Sequence, residues 1–90
     1  MTEKIDSDSI GVDEEISVDL AYDSKLKIAK PWLVKWRGRT YKIDKIGLHH
    51  QTWEGKTLIH LFSVSAKETF FKLSFNTTNL HWRLEEITTI

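Results

Sequence analysis

The sequence predicts an all-β domain, a small curved antiparallel meander of five to six strands that closes into a barrel or half-barrel. Apolar and polar residues alternate in most segments between positions 16 and 87, as in strands with one buried face. Short clusters of Asp, Ser, Asn and Gly separate these segments and are typical of turns. No segment has the apolar period of an amphipathic helix. Closing the sheet would bury more rings and aliphatic side chains than one flat face can cover.

The domain organisation follows from the length of the chain and from its first residues. Ninety residues leave room for one core. Residues 1–13 show no apolar period and are predicted to form a disordered acidic arm, which leaves residues 14–90 as a single small β-barrel domain. Residues 16–22 place Ile, Val, Leu and Tyr at every second position, which predicts the first strand. Residues 26–29 repeat this alternation before Pro31, which lacks an N–H and indicates an edge, a bulge or a connection.

Residues 32–43 predict a tight β-hairpin whose turn is the Arg-Gly dipeptide at positions 37–38. The alternation on both sides of the turn puts rings and branched side chains on one face. The register pairs three residues before the turn with three after it: Trp36 with Arg39, Val34 with Tyr41 and Trp32 with Ile43.

The second half of the chain predicts three further strands and two bulges. The alternation slips near Asp44-Lys45 and near Glu85-Glu86, which indicates an extra residue at each place. Residues 49–56 are polar and are predicted to form a loop. Residues 57–64 and 69–76 read as strands, and the first of these is apolar on both faces. A last strand is predicted over residues 80–84.

The formal net charge of +0 conceals two unlike parts of the chain. Residues 1–24 carry eight acidic residues and one basic residue, whereas residues 25–90 carry twelve basic and five acidic residues. A basic body attracts polyanions because binding releases their counterions. The same distribution also fits a solubilising acidic tail on a mildly basic domain. Both interpretations stay open at this point.

The basic and aromatic hairpin is the strongest candidate for a nucleic-acid site. Lys35, Arg37, Lys42 and Lys45 are predicted to point outward, where they can neutralise phosphates. Trp53 lies in the predicted polar loop, where its ring can stack on a base, contact a protein partner, or cover the mouth of the barrel. The other aromatic and basic residues of the hairpin fit either the core or a ligand-facing surface, with Arg39 able to make a cation–π contact to Trp36. They are Trp32, Trp36, Arg39 and Tyr41.

Several classes of function find no support in the sequence. Without cysteine, the chain can form neither a disulfide nor a thiolate metal site. The four histidines have no spacing typical of a metal site, no catalytic motif is present, and no Gly-rich phosphate loop suggests a cofactor. We therefore expect no enzyme activity, no metal and no cofactor. The first residues resemble no signal peptide and no apolar run could span a membrane, so a cytoplasmic location without membrane contact is expected.

The hairpin segment PWLVKWRGRTYKI is similar to a family of small bacterial domains of uncharacterised activity. Later pieces fit the same family pattern: a Trp at position 53, FSV at 62–64, F-x-L-x-F at 71–75 and W-x-L at 82–84. The resemblance spans about residues 16–88. Such domains are associated with accessory proteins of error-prone DNA repair polymerases. The resemblance therefore implies a small β domain in a DNA-damage context, and it implies no catalytic activity.

Together these features predict a non-catalytic binding module whose partner is single-stranded nucleic acid or a repair protein. The alternative is a protein-interaction module that accepts a partner's strand, or self-associates, at an open sheet edge such as residues 26–29. Salt separates the two, because phosphate contacts weaken steeply with ionic strength and strand addition does not. The oligomeric state is left open.

Overall fold

The structure is a computed structural model that describes residues 9–89. It confirms the all-β class: the described residues form seven antiparallel strands in one sheet and contain no helix. None of them forms a helix with the length and hydropathy needed to cross a membrane. The strands are β1 (Ser9–Asp23), β2 (Ile28–Trp36), β3 (Arg39–Lys42), β4 (Lys45–Glu54), β5 (Thr57–Ala66), β6 (Thr69–Asn76) and β7 (Trp82–Thr89).

The strand order is β3-β2-β1-β7-β6-β5-β4. Two meanders, one of β1 to β3 and one of β4 to β7, are therefore joined where β1 pairs with β7, for example at Ile16 opposite Trp82. The two borders of the sheet, β3 and β4, are consecutive in the chain. Only Ile43 and Asp44 connect them.

This short connection requires the sheet to curl. In a flat sheet, six strand spacings of about 4.8 Å would separate β3 from β4 by about 29 Å. The chain from Lys42 to Lys45 spans at most about 11 Å. Curling also brings Tyr41 of β3 against Phe71 of β6, with ring centroids 5.0 Å apart. Within residues 9–89 no ladder joins β3 to β4, so the sheet is rolled but not closed.

Asp44 fastens the connection to the far side of the rolled sheet. Its N–H donates to the Ser65 carbonyl at 2.9 Å. Its carboxylate accepts from the Lys67 N–H at 2.6 Å and from the Ser65 hydroxyl at 2.9 Å. These hydrogen bonds, led by the one from Lys67, lower the pKa of the Asp44 carboxyl. One acidic side chain thus holds the β3–β4 connection against the β5–β6 hairpin.

The face of the sheet on the inside of the roll, here called the inner face, carries the core. Strand β5 shows the division clearly, because Phe62 and Val64 point inward while Leu61 and Ser63 lie on the other side, here called the outer face. Two core leucines, Leu73 and Leu84, are fully buried. Nine buried residues from β2, β5, β6 and β7 form the core: Val34, Phe62, Val64, Ala66, Phe71, Leu73, Trp82, Leu84 and Ile87.

The predicted first hairpin is confirmed in register and turn. Trp36 lies opposite Arg39 and Val34 opposite Tyr41. The turn residues Arg37 and Gly38 have φ values of 50° and 76°, as a type I′ turn requires. One part of the prediction was wrong. Trp32 does not share the buried face with Val34, because the pairing of β1 with β2 slips beside it, and its side chain is exposed.

The described part of the predicted arm contradicts its proposed disorder. Strand β1 begins at Ser9, which pairs with Thr88 of β7, and Gly11 pairs with Glu86. Backbone pairing along an existing strand needs no apolar period, which is why the sequence pattern did not reveal it. The domain therefore begins at least five residues before position 14, while residues 1–8 lie outside the described residues.

The predicted loop over residues 49–56 was also wrong. Strand β4 continues to Glu54, which pairs with Thr57 across a two-residue turn that begins at Gly55, with φ of 63°. Leu80 falls in a turn, so the last strand starts at Trp82. The predicted loop was wrong because β4 lies at the border of the sheet. Both faces of β4 are largely exposed, so its side chains are polar although the segment is a strand.

Both predicted slips in the alternation exist as register shifts. Glu85 is the extra residue on β7, because Lys72 pairs with Glu86 and Leu73 with Leu84. The other shift lies at Gly47 of β4, a few residues after the predicted place, because the β3–β4 connection itself occupies positions 43–44. These bulges bend the strands and assist the roll.

Replacing Asp44 by Asn should destabilise the fold and reduce its sensitivity to acid. Because the pKa of Asp44 is lowered in the folded protein, its stabilisation is fully present above its ordinary value of about 3.9 and is lost as the pH falls through the lower folded value. Urea unfolding at pH 7 should show a lower midpoint for Asp44→Asn. The further loss on acidification to about pH 3 should be smaller in the variant than in the parent.

Ser65→Ala removes one donor to Asp44 and serves as the graded control. Ser65→Ala should also lower the urea midpoint at pH 7, but by less than Asp44→Asn does. An Asp44→Asn variant as stable as the parent at pH 7 would show that the charge of the Asp44 carboxylate does not help to hold the connection.

Candidate functional site

The free border of β4 is the most distinctive surface of the described chain. The sheet ends in β3, with four residues, and in β4, with ten. Between Lys45 and Glu54 the β4 strand contains no Asp, Glu, Lys or Arg. Leu48 and Trp53 are 53% and 65% exposed on it. Border strands are usually guarded by charges, proline or short length, and here Gly47 supplies the one bulge that interrupts β4.

Side chains of β4 alternate between the two faces of the sheet, as their partners on β5 show. His49 lies opposite Phe62 on the inner face, and His50 lies opposite Leu61 on the outer face. The inner set is Ile46, His49, Gln51 and Trp53, and the outer set is Lys45, Leu48, His50, Thr52 and Glu54.

A stack of rings supports the inner face of β4. His49 lies flat on Phe62, with centroids 4.2 Å apart and an interplanar angle of 3°. Its Nε2 is 2.8 Å from Nδ1 of His60, so one imidazole donates to the other. Burial lowers the pKa of His49, and the neighbouring His60 and His50 lower it further. This environment therefore favours the neutral form of His49.

A groove of about 520 Å³ lies on the outer face beside β4. Ile59 at its floor is buried although it points away from the core. Ser74 is also buried, and its hydroxyl donates to Glu85 at 2.6 Å. Leu48 and His50 of β4 line the same groove. It can receive an apolar side chain from a segment lying along the border.

The sequence does not predict this groove, although one signal points to it. Residues 57–64 are apolar on both faces, and a strand with one solvated face has no need of Ile59 and Leu61 on the second. The hydrogen-bonded pair of Ser74 and Glu85 gave no signal, because the bulge at Glu85 decides which way that carboxylate points.

Two of the predicted phosphate contacts are engaged within the protein. The Lys35 ammonium lies 3.6 Å from the Asp19 carboxylate. The Arg37 guanidinium forms an ion pair with Glu14 and lies 4.7 Å from the centroid of the Trp36 ring. Because these cations already have acidic partners, their electrostatic attraction to a phosphate is reduced.

The network around Glu14 stabilises the first hairpin. The Trp36 indole N–H donates to one carboxylate oxygen of Glu14 at 2.9 Å, and Arg37 donates to the other. The hydrogen bond from Arg37, followed by that from Trp36, lowers the pKa of the Glu14 carboxyl. The predicted cation–π contact to Trp36 therefore exists, but Arg37 makes it and not Arg39.

The remaining predicted site residues do not meet on one surface. Lys42 and Lys45 flank the β3–β4 connection and have no carboxylate within ion-pair distance among the described residues. Trp53 lies at the other end of β4 on the inner face, opposite Leu58. It is eight residue steps along the strand from Lys45, which corresponds to about 26 Å. The structure thus brings the two lysines together and leaves the tryptophan apart.

A second exposed apolar surface occupies the β1–β2 hairpin. Tyr22 and Leu26 are 66% and 63% exposed there. The predicted open edge at residues 26–29 is partly present. Ile28 pairs with Asp23 of β1, while β3 extends along β2 only as far as Leu33, so the beginning of β2 has one free side.

No group of three or more metal-ligating side chains occurs in the part of the chain that the structure describes. Comparison with protein-family models, with curated proteins and with solved structures found no match. The molecule is thus defined by its own geometry: a rolled seven-stranded antiparallel sheet whose free β4 border carries charges only at its two ends, with an adjoining outer-face groove.

Replacing His49 by Gln should reduce the pH dependence of stability between about pH 7.5 and 5. The lowered pKa of His49 means that the folded protein resists protonation there, so stability falls as the pH drops below about 6.5. Urea midpoints at the two pH values should differ less in His49→Gln than in the parent.

His81→Gln is the matched control. His81 contacts Glu15 at 3.0 Å and not another imidazole, so this variant removes one histidine and leaves the His49–His60 pair intact. An equal reduction in both variants would assign the effect to histidine content and not to the His49–His60 pair.

Proposed function

We propose that the protein is a non-catalytic interaction module that binds a partner by accepting an extended strand on the free border of β4. The observation that carries the proposal is the uncharged stretch of β4 between Lys45 and Glu54. Its unpaired N–H and C=O groups provide a ladder for an incoming strand. The family that the first hairpin resembles implies a DNA-damage context for this module.

Side chains on both faces can give such binding its specificity. An added strand alternates its side chains between the two faces, so each face receives every second residue. On the inner face the exposed ring of Trp53 is available. On the outer face Leu48 leads into the groove above Ile59. A partner with apolar residues at alternate positions fits both surfaces.

Selection from a random twelve-residue peptide library against the parent protein should test the proposal. Enriched peptides should alternate apolar and polar residues and should shift the backbone amide resonances of β4 more than those of β3. Gln51→Lys should abolish their binding, because a charge in the middle of the border opposes strand addition. Affinity should change little between about 0.05 and 0.5 M NaCl.

Thr40→Lys places the same charge on β3, the opposite border, and is the matched control. It should leave peptide affinity unchanged. Equal binding by the parent and by Gln51→Lys, or resonance shifts confined to other strands, would contradict strand addition at β4.

A second candidate function is binding of single-stranded nucleic acid, favoured by Lys42 and Lys45. Both are exposed, lie on either side of the two-residue connection, and have no acidic partner among residues 9–89. Exposed lysines without acidic partners can neutralise successive phosphates. Trp53 lies at the other end of β4 and on the inner face, whereas Lys45 lies on the outer face, so the ring does not share a surface with the two lysines.

Titration with a fifteen-residue oligothymidylate should decide this second candidate. If the two lysines contact phosphate, Lys42→Glu and Lys45→Glu should each weaken binding and flatten the dependence of log Kd on log salt by about 0.7. Lys35→Glu should have a smaller effect because Asp19 already pairs with that cation. An absence of binding at low salt, or an unchanged slope, would rule the lysines out.

A further inference from the structure

The border of β4 carries opposite charges at its two ends. Lys45 begins the strand and Glu54 ends it, and both side chains lie on the outer face. When two identical strands run antiparallel, the first residue of each lies beside the last residue of the other. Each Lys45 would then meet a Glu54, so the border is complementary in charge to a copy of itself.

We infer that the strand received by β4 is β4 of a second copy of this chain, related by a twofold axis that passes beside His50. This inference rests on the proposed function and names its partner. A twofold interface brings the same patch together from both molecules, so it requires a self-complementary surface. The two rolled sheets would join into one continuous sheet, with their outer faces on the same side.

The register follows from the alternation of β4. Directly opposite residues of an antiparallel pair share a face of the sheet, so an outer residue must meet an outer residue. Centring the pair at His50 satisfies this condition on both sides. The resulting pairs are His50 with His50, His49 with Gln51, Leu48 with Thr52, Ile46 with Trp53, and Lys45 with Glu54 of the second copy.

The bulge at Gly47 makes this register possible along the whole strand. Without an extra residue, the pairing that matches Leu48 with Thr52 would set Ile46, an inner residue, against Glu54, an outer residue. Leaving Gly47 unpaired restores the match, as it already does in the ladder with β5. In many sheets a bulge protects an edge strand from pairing. Here the bulge at Gly47 would instead keep both ends of β4 in register with the second copy.

On each face of the sheet, this register would bring compatible side chains together. On the inner face, the exposed Trp53 ring would cover Ile46, which is packed at the edge of the core. On the outer face, Leu48 would lie beside Thr52 of the second copy and extend the apolar wall of the groove. The two His50 side chains would face each other at the axis, where any pair of like charges would be unfavourable.

Charge exchange at the two ends of β4 tests the inference. Sedimentation equilibrium of the parent should show a concentration-dependent dimer. Lys45→Glu alone opposes two glutamates at each end of the ladder, and Glu54→Lys alone opposes two lysines. Each single variant should weaken self-association about tenfold or more. A mixture of the two variants should form a mixed dimer, and the double variant Lys45→Glu/Glu54→Lys should self-associate as the parent does.

His50→Asp provides a second, independent variant, because it sets two like charges at the axis. It should also weaken the dimer, and circular dichroism should show the same strand content for every variant. A parent that stays monomeric at millimolar concentration, or a dimer indifferent to all these charges, would overturn the inference. The proposed function fails separately: library peptides that bind β4 of a monomeric parent would support strand addition while rejecting the second copy as the partner.

Discussion

The rest of the structure depends on the two-residue connection between β3 and β4. It joins the opposite borders of the sheet, and no flat arrangement of seven strands allows so short a path. Curling encloses one face, and the contact of Tyr41 with Phe71 across the roll is a direct result. Asp44 then ties the connection to Ser65 and Lys67 through its backbone and carboxylate. The core exists because the borders are held together at this point.

The same constraint explains why the roll stays open. Strand β3 has four residues and β4 has ten, so β3 cannot pair along most of the second border even where the connection brings it near. Most of β4 therefore extends past the closed end of the roll, carried by β5 and by the ring stack of His49 on Phe62. Its outer side adjoins the groove above Ile59. A long free border and a groove beside it are thus geometric consequences of joining unequal strands by a short connection.

The sequence predicted much of the fold because its strongest signals are local. Alternation identified the strands, and the Arg37-Gly38 turn set the register of the first hairpin. The errors arose where long-range pairing decides the structure. Residues 9–13 are a strand because β7 is there to pair with them, and β4 appeared to be a loop because a border strand can be polar on both faces. For the candidate site, sequence could name Lys35 as a cation but could not show that the Asp19 carboxylate of the neighbouring strand lies 3.6 Å from its ammonium.

The two border strands, β3 and β4, differ in how their charges act on an approaching strand. Strand β3 carries Arg39 and Lys42 within four residues, so a copy of it in antiparallel register would meet cations of the same sign. Strand β4 places its only cation, Lys45, and its only anion, Glu54, at opposite ends. If both ends of β4 carried the same charge, they would repel a second copy of the strand in either orientation. With opposite charges at its two ends, β4 repels a parallel copy and attracts an antiparallel one. The end charges of β4 would therefore favour an antiparallel copy over a parallel one, and no Asp, Glu, Lys or Arg lies between them to oppose a strand in general.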